Sequence, residues 1–275
     1  MRAFLRFLKG IRAFNAVRRF GRASTYYNSK YLQIFKWTIQ SKEDTNYTYF
    51  ITDDSKLNIA NAVAIATNAP VEQVIQYMEE AEGDIELKDQ ILKATKASDL
   101  TNFSDNEVRY GRRLGWYAAV RVMKAKVVIE TGIDKGLGSV LLSSAILRNQ
   151  AEGHPGRYYG TDINLKAGYL LSGKYKESGE ILYGDSIESL KEFKQEIDLF
   201  INDSDHSADY EYNEYITIKH LLSKKGIILG DNSHCTDKLA KFSMEEGRHF
   251  LFINEVPKNH WYPGAGIGIS YPKYK

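Results

Sequence analysis

The 275-residue chain has one cysteine, Cys235. This excludes a disulfide framework and any cysteine-based zinc or iron–sulfur site, and it fits a reducing compartment. No apolar run approaches the ~20 residues that a membrane-spanning helix needs. No internal repeat or low-complexity tract is present. Acidic residues are missing from the first 42 positions, which hold ten Lys and Arg. The other 233 residues hold 27 basic and 35 acidic side chains, so a bland net charge of +2 hides a basic end on a mildly acidic body. Hydrophobic residues make up 43% and charged residues 26%. That is ordinary for a globular protein and excludes wholesale disorder. The length suits one core domain with an appendage.

In residues 1–22, Phe4, Leu8, Ile11 and Phe14 recur at helical spacing, with Arg2, Arg6, Lys9 and Arg12 between them. This pattern predicts a basic amphipathic helix. It lacks the continuous apolar stretch and small-residue cleavage site of a secretory signal. Three readings stand: packing on the body or a homo-oligomer partner, lying on an anionic membrane surface, or serving as a transit peptide. Residues 43–100 read as small helices. One is capped by Asp53 or Asp54 and runs to Thr67, one starts near Pro70, and one spans Leu87 to Lys96. Residues 98–106 are loop-like and divide a helical region, 1–100, from a second domain, 101–275.

From about residue 107 the pattern becomes strand–helix alternation. A helix over 107–124 precedes the strand 126–130. Strands follow at 157–162, 180–185, 198–203, 226–231, 249–254 and 265–271, with helices at 137–149, 208–222 and 236–246 and others expected between the remaining early strands. Alternation of this kind predicts a mostly parallel sheet with helices on both faces. Ligands in such sheets bind beyond the carboxyl ends of the strands. Strand one ends in Glu130-Thr131-Gly132, followed by Gly136, Gly138 and Ser139. A glycine-bearing turn into a helix lets backbone approach a ligand and presents amides at the helix start. Asp162 ends strand two, where an acid can accept hydrogen bonds from ribose hydroxyls. Asp185-Ser186 ends strand three. Each acid alone could be a helix cap, but an acid at three successive strand ends is hard to ascribe to capping.

On these residues the region 107–275 resembles the class I S-adenosylmethionine-dependent methyltransferases, whose Rossmann-like fold has seven strands with the last antiparallel beside strand five. The resemblance implies that Gly132 and Gly138 lie against the methionine portion of the cofactor. It implies that Asp162 holds the ribose, that Asp185 and Ser186 lie near the adenine, and that Thr131 or Ser139 meets the cofactor carboxylate. A nicotinamide-dependent oxidoreductase shares the turn and the ribose acid and is the rival reading.

Strands four and five separate the two. They end in Asn202-Asp203-Ser204-Asp205-His206 and Gly230-Asp231-Asn232-Ser233-His234. Adjacent parallel strands would bring these clusters together, and Asp203, Asp231 and Asn232 form an all-oxygen set suited to magnesium. A nicotinamide enzyme has no use for it there. The D-x-D-H and D-N pair resembles the cation-dependent O-methyltransferases. Catechol-type members carry a lysine where His206 stands, and the form with histidine is similar to the branch that methylates sugar hydroxyls. The resemblance implies a magnesium-assisted transfer from S-adenosylmethionine to a hydroxyl of a sugar or glycoconjugate, with His206 as general base, its ordinary pKa of ~6.5 suiting proton uptake. Arg112 and Arg113 could reach the cofactor carboxylate or a substrate phosphate, although a solvated helix face is the plainer explanation. The sequence His260-Trp261-Tyr262-Pro263 could wall a cleft. A non-catalytic relative would be free to lose the carboxylates. A nucleic-acid partner is not expected, because the N-P-P-Y or D-P-P-Y type motif used on base amines is absent. The expected location is cytoplasmic, with residues 1–22 able to touch the inner face of a membrane.

Overall fold

A computed structural model describes residues 12–25, 30–44, 48–205, 207–231 and 233–274. His206, Asn232 and the first half of the predicted basic helix therefore lie outside the described residues. The N-terminal part holds α1 (Arg12–Thr25), α2 (Lys30–Gln40), α3 (Asp53–Thr67), α4 (Val71–Gly83) and α5 (Ile85–Lys96). The cap of α3 is Thr52, whose side chain accepts a hydrogen bond from the Ser55 amide (3.3 Å), and not Asp53 or Asp54. Asp84 caps α5 by accepting from the Leu87 amide (2.9 Å).

The alternating part follows as α6 (Arg113–Met123), β1 (Val127–Thr131), α7 (Leu137–Ala151), β2 (Arg157–Asp162), β3 (Gly179–Tyr183), α8 (Ser186–Glu192) and β4 (Ile197–Asn202). It continues with α9 (Ala208–Ile218), β5 (Leu222–Gly230), α10 (Lys238–Glu245), β6 (His249–Ile253) and β7 (Ile267–Tyr271). The seven strands form one sheet in the order β3-β2-β1-β4-β5-β7-β6. β1 to β5 are mutually parallel, and β7 runs antiparallel between β5 and β6. Two expectations needed correction. The helix predicted over 107–124 starts only at Arg113. No α-helix joins β2 to β3; there is only a 3-10 turn at Gly173–Glu177. The backbone of that connection bonds elsewhere, with Gly168 N donating to Asp134 O (2.7 Å) and Leu170 N to Lys135 O (3.1 Å), so it braces the loop after β1.

Strand side chains alternate between faces, and two apolar cores result. Val128, Leu199, Ile201, Ile227 and Leu229 pack with α3 to α7 on one face. Val127, Ile129, Phe200 and Ile228 pack with α8 to α10 on the other. The first core runs unbroken across residues 98–106, since Ile59, Val74 and Leu87 share it with Leu141 and Val128. Arg121, only 2% exposed, pins the helices together by donating to Glu80 of α4 (2.7 Å) and Glu152 (2.5 Å). Residues 48–52 also join the far end of the chain. Thr52 N donates to Val256 O (2.9 Å) and Lys258 N to Phe50 O (2.6 Å).

Candidate active site

The strand order sets β1 between β2 and β4, so the loops after these strands meet at one edge of the sheet. The loop after β1 crosses the end of β4 at Gly132, which has φ +75°. A Cβ there would lie 2.1 Å from the Asp203 carbonyl oxygen, so only glycine fits. Gly138 opens α7 against Glu130, and a Cβ would stand 2.0 Å from Glu130 Oε1.

The side chains of Glu130, Thr131 and Ser139 are buried at 1%, 0% and 0% exposure. Their contacts are with the protein, so they support the loop from beneath. The Tyr158 hydroxyl donates to Glu130 Oε2 (2.5 Å), and Ser139 Oγ lies 2.7 Å from the Tyr158 oxygen. Burial pushes Glu130 up to about 7, against the hydrogen bond from Tyr158 and the charge of Arg113.

This makes stability pH-dependent with a definite sign. The folded value lies above the unfolded one, so the folded state binds the proton more tightly between the two. The contribution is complete below the unfolded carboxylate value of about 4.3 and is lost as pH rises through about 7. Glu130→Gln keeps the size and removes the titration. The variant is expected to be more stable than wild type at pH 8 by about 3–4 kcal/mol, with the advantage gone near pH 4.5. Parallel pH–stability curves from denaturant melts would refute this.

Asp162 ends β2 facing the same loop. Its Oδ2 accepts from the Asp134 amide (3.0 Å) and its Oδ1 from the Asn164 amide (2.8 Å). Each oxygen keeps a lone pair free for a further donor. Asp185 is exposed and caps α8, accepting from Glu188 N (3.0 Å) and from the Tyr210 hydroxyl (3.0 Å). Ser186 is buried and donates to Glu214.

Glu214 was not among the residues singled out from the sequence. It sits on α9 with 0% exposure. It accepts from Ser186 at the end of β3, Thr131 at the end of β1 (3.1 Å), and Asn202 and Ser204 at the end of β4 (Ser204, 2.8 Å). One carboxylate thereby ties three strand ends together, and burial pushes it up to about 7 against those hydrogen bonds. The only signal in the sequence was a helical spacing of buried positions, 211, 214, 215 and 218, two of them acids.

At the ends of β4 and β5 the structure does bring Asp203 and Asp231 together, in hydrogen-bond contact. A third group shares the place. Arg112 grips Asp231 with a two-pronged fork, Nε to Oδ1 and Nη2 to Oδ2 (2.5 Å). Its Nη1 donates to the Tyr49 hydroxyl (2.5 Å) and to Glu255 Oε1 (3.0 Å). Far from lying on a solvated face, Arg112 is 9% exposed. Arg113 lies looser, with Nη2 3.8 Å from Asp203. Burial and the neighbouring Asp231 charge push Asp203 up. Asp231 is held low: burial opposes its charge, but the Arg112 guanidinium prevails. Burial thus favours the neutral form of Asp203, while the guanidinium favours the charged form of Asp231.

A divalent cation does not fit these side chains as they are packed. Both oxygens of Asp231 are bonded to a guanidinium, and among the described residues no group of three or more His, Cys, Asp or Glu is arranged to hold a metal. Asn232 and His206 lie outside the described residues. His234 places Nδ1 3.2 Å from the Asp231 carbonyl oxygen, a local backbone contact.

Two hollows flank this cluster. The smaller, about 70 Å³, is lined by Gly132, Ile133, Arg113 and Asp203. The larger, about 770 Å³, is lined by Trp37, Tyr49, Lys36, Gln33 and His260. Asp105, Glu107 and Arg109 form a wall common to both. Of residues 260–263, His260 lines the larger hollow; it stacks on Trp261 (5.7 Å), and Trp37 meets Trp261 edge-on (5.3 Å). Burial, helped by Arg109 and Lys30, lowers His260 to about 4 and keeps it neutral.

A doubly wound sheet with a reversed seventh strand, a glycine turn after β1 and an acid ending β2 together define a class I methyltransferase fold. Residues 129–233 match a family profile described as a methyltransferase domain. Residues 129–233 are thus similar to a methyltransferase domain, and the sheet that holds them has the class I methyltransferase fold. Among solved structures the chain is similar to an O-methyltransferase from Bacillus cereus in complex with SAH. That match has 13% identity and a TM-score of 0.50, covering 72% of this chain and 97% of the other. It is also similar to a methyltransferase from Geobacter sulfurreducens at 16% identity and TM-score 0.50, covering 67% and 90%. A cofactor-bound protein from MTB gives 16% identity and TM-score 0.52, covering 70% and 92%. At these identities the likeness establishes the fold. No curated protein matches the chain.

Proposed function

We propose that this enzyme moves the methyl group of S-adenosylmethionine to a hydroxyl on a sugar or glycoconjugate, yielding S-adenosylhomocysteine and a methyl ether. The observation that carries the reading is the larger hollow. It shares the Asp105, Glu107 and Arg109 wall with the smaller hollow, which is the one lined by Gly132 and Asp203, and it mixes aromatic with hydrogen-bonding side chains. Such a lining suits an acceptor with apolar faces and many hydroxyls. The Asp203-Ser204-Asp205-His206 sequence supports a sugar over a catechol.

In this reading the ribose hydroxyls donate to Asp162, the adenine lies by Asp185 and Ser186, and the backbone at Gly132 and Gly138 approaches the methionine portion. The acceptor oxygen attacks the methyl carbon in line as the carbon–sulfur bond breaks, and its proton passes to a base. His206 is the proposed base. Its neighbours hold the loop, since Ser204 bonds Glu214 and the Ser207 hydroxyl donates to Asp205 (3.0 Å). No step is routed through a cation, because the packing around Asp231 gives the magnesium expectation no support.

The deciding experiment is a labelled-methyl assay across sugar, glycolipid and catechol acceptors. Label in sugars supports the reading, and label only in catechols replaces it with the catechol-type reading. Tight binding of a nicotinamide cofactor without S-adenosylmethionine binding would remove it altogether.

A peripheral membrane role for the N-terminus is proposed alongside a cytoplasmic location. Among the described residues no helix is long and apolar enough to cross a membrane. Yet α1 and α2 leave Val17, Phe20, Leu32, Phe35 and Ile39 exposed next to Arg18, Arg19, Arg22 and Lys36. Each cation near an anionic bilayer adds on the order of 1 kcal/mol, and buried apolar side chains add more. Deleting residues 1–22 is expected to abolish salt-sensitive sedimentation with anionic vesicles. A changed mass in light scattering, with no vesicle binding by either protein, would instead mark a homo-oligomer contact.

A further inference from the structure

A cation held by Asp203 and Asp231 would need their oxygens, and the fold has already committed those of Asp231. The Arg112 fork matches the carboxylate plane, a geometry specific to arginine. The remaining contacts keep that guanidinium in place. Tyr49 comes from the segment paired to residues 256–258, and Glu255 is fully buried beside it. Swinging Arg112 outward would strand two buried acids, Asp231 and Glu255, without a counter-charge. A dication would also be opposed by Arg113, 3.8 Å from Asp203. Magnesium further demands near-octahedral oxygen ligation, so an ion at Asp231 would have to share its oxygens with the Arg112 guanidinium, a cation held in direct contact with them.

We infer that Arg112 is a built-in replacement for a divalent cation, a positioning residue that holds Asp231 and the β5 end with protein-borne charge, so that this site takes up no metal. The inference rests on reading the β4 and β5 ends as the acceptor side of a methyltransferase site.

The test uses the full chain, stripped with chelator and titrated with Mn2+ and Mg2+ by calorimetry, with melting temperature and S-adenosylmethionine affinity followed in parallel. Wild type should show no stoichiometric metal binding and no melting shift, and its affinity for the donor should agree within about two-fold in chelator and in magnesium. Arg112→Met empties the fork but keeps both aspartates, and should gain Mn2+ binding that a further Asp231→Asn removes. Arg112→Lys keeps a cation in place and should stay metal-free. Stoichiometric Mn2+ binding by wild type that Asp231→Asn abolishes would overturn the inference. So would an Arg112→Met protein that folds and still takes up no metal. If Arg112→Met does not fold, the wild-type and Arg112→Lys titrations decide. Absence of donor binding in every folded protein would sink the methyltransferase reading while leaving the metal result to stand by itself.

Discussion

Asp162→Ala is expected to weaken S-adenosylmethionine binding by at least about 100-fold, because two hydrogen bonds from ribose hydroxyls to a carboxylate are worth roughly 1.5–3 kcal/mol each. The loss has a second source. Asp162 also accepts from the Asp134 amide (3.0 Å), so its removal loosens the loop after β1, the proposed bed of the cofactor. Asp162→Asn keeps one acceptor oxygen and should lose about ten-fold. Calorimetry with S-adenosylmethionine and S-adenosylhomocysteine should give the same ranking, since neither ligand differs at the ribose. Melting temperatures should move little, as Asp162 is only half-buried. An Asp162→Ala protein that binds within about three-fold of wild type would remove Asp162 from the site.

Glu214→Ala should cost roughly 3–5 kcal/mol of stability, the range for a broken buried network. Four donors, from Thr131, Ser186, Asn202 and Ser204, would lose their acceptor in the interior. Because those donors sit at the ends of β1, β3 and β4, donor affinity should fall as well, although Glu214 itself is fully buried. Glu214→Gln separates shape from charge. Below the raised value of about 7 the wild-type side chain is protonated and resembles the amide, so the two proteins should converge in acid and differ most above neutrality. Denaturant melts of all three proteins at pH 5.5 and pH 8 are the measurement. A loss under about 1 kcal/mol for the alanine variant would show that the network is dispensable.

The sheet was legible because the strands from Val127 to Gly230 are short, largely apolar runs that end in, or are directly followed by, Gly, Asp or Asn. The count of seven and the reversed last strand came with the family resemblance. The helix missing between β2 and β3 was not legible, because its backbone partners, Asp134 and Lys135, lie over 30 residues earlier in the chain. The cap at Thr52 was missed for a smaller reason: Asp53 and Asp54 are equally good capping types, and only backbone geometry separates them from their neighbour. Residue type placed Glu130, Thr131 and Ser139 at the cofactor turn but could not say which way they face, and all three turn inward.

By itself the sequence determined the parallel α/β class, the turn after β1 and the acids at successive strand ends. Each of these is written in residues a few positions apart, where strand and helix periods operate. Only the tertiary structure decided what Asp231 is bonded to. Arg112 stands 119 residues from Asp231 and 143 from Glu255, and Tyr49 is 63 residues from Arg112. Those three separations are spanned by strand order and by the pairing of residues 48–52 with 256–258, neither of which leaves a local pattern. Asp231, which reads in sequence as a ligand for a metal, is in the folded chain the counter-charge of a buried arginine.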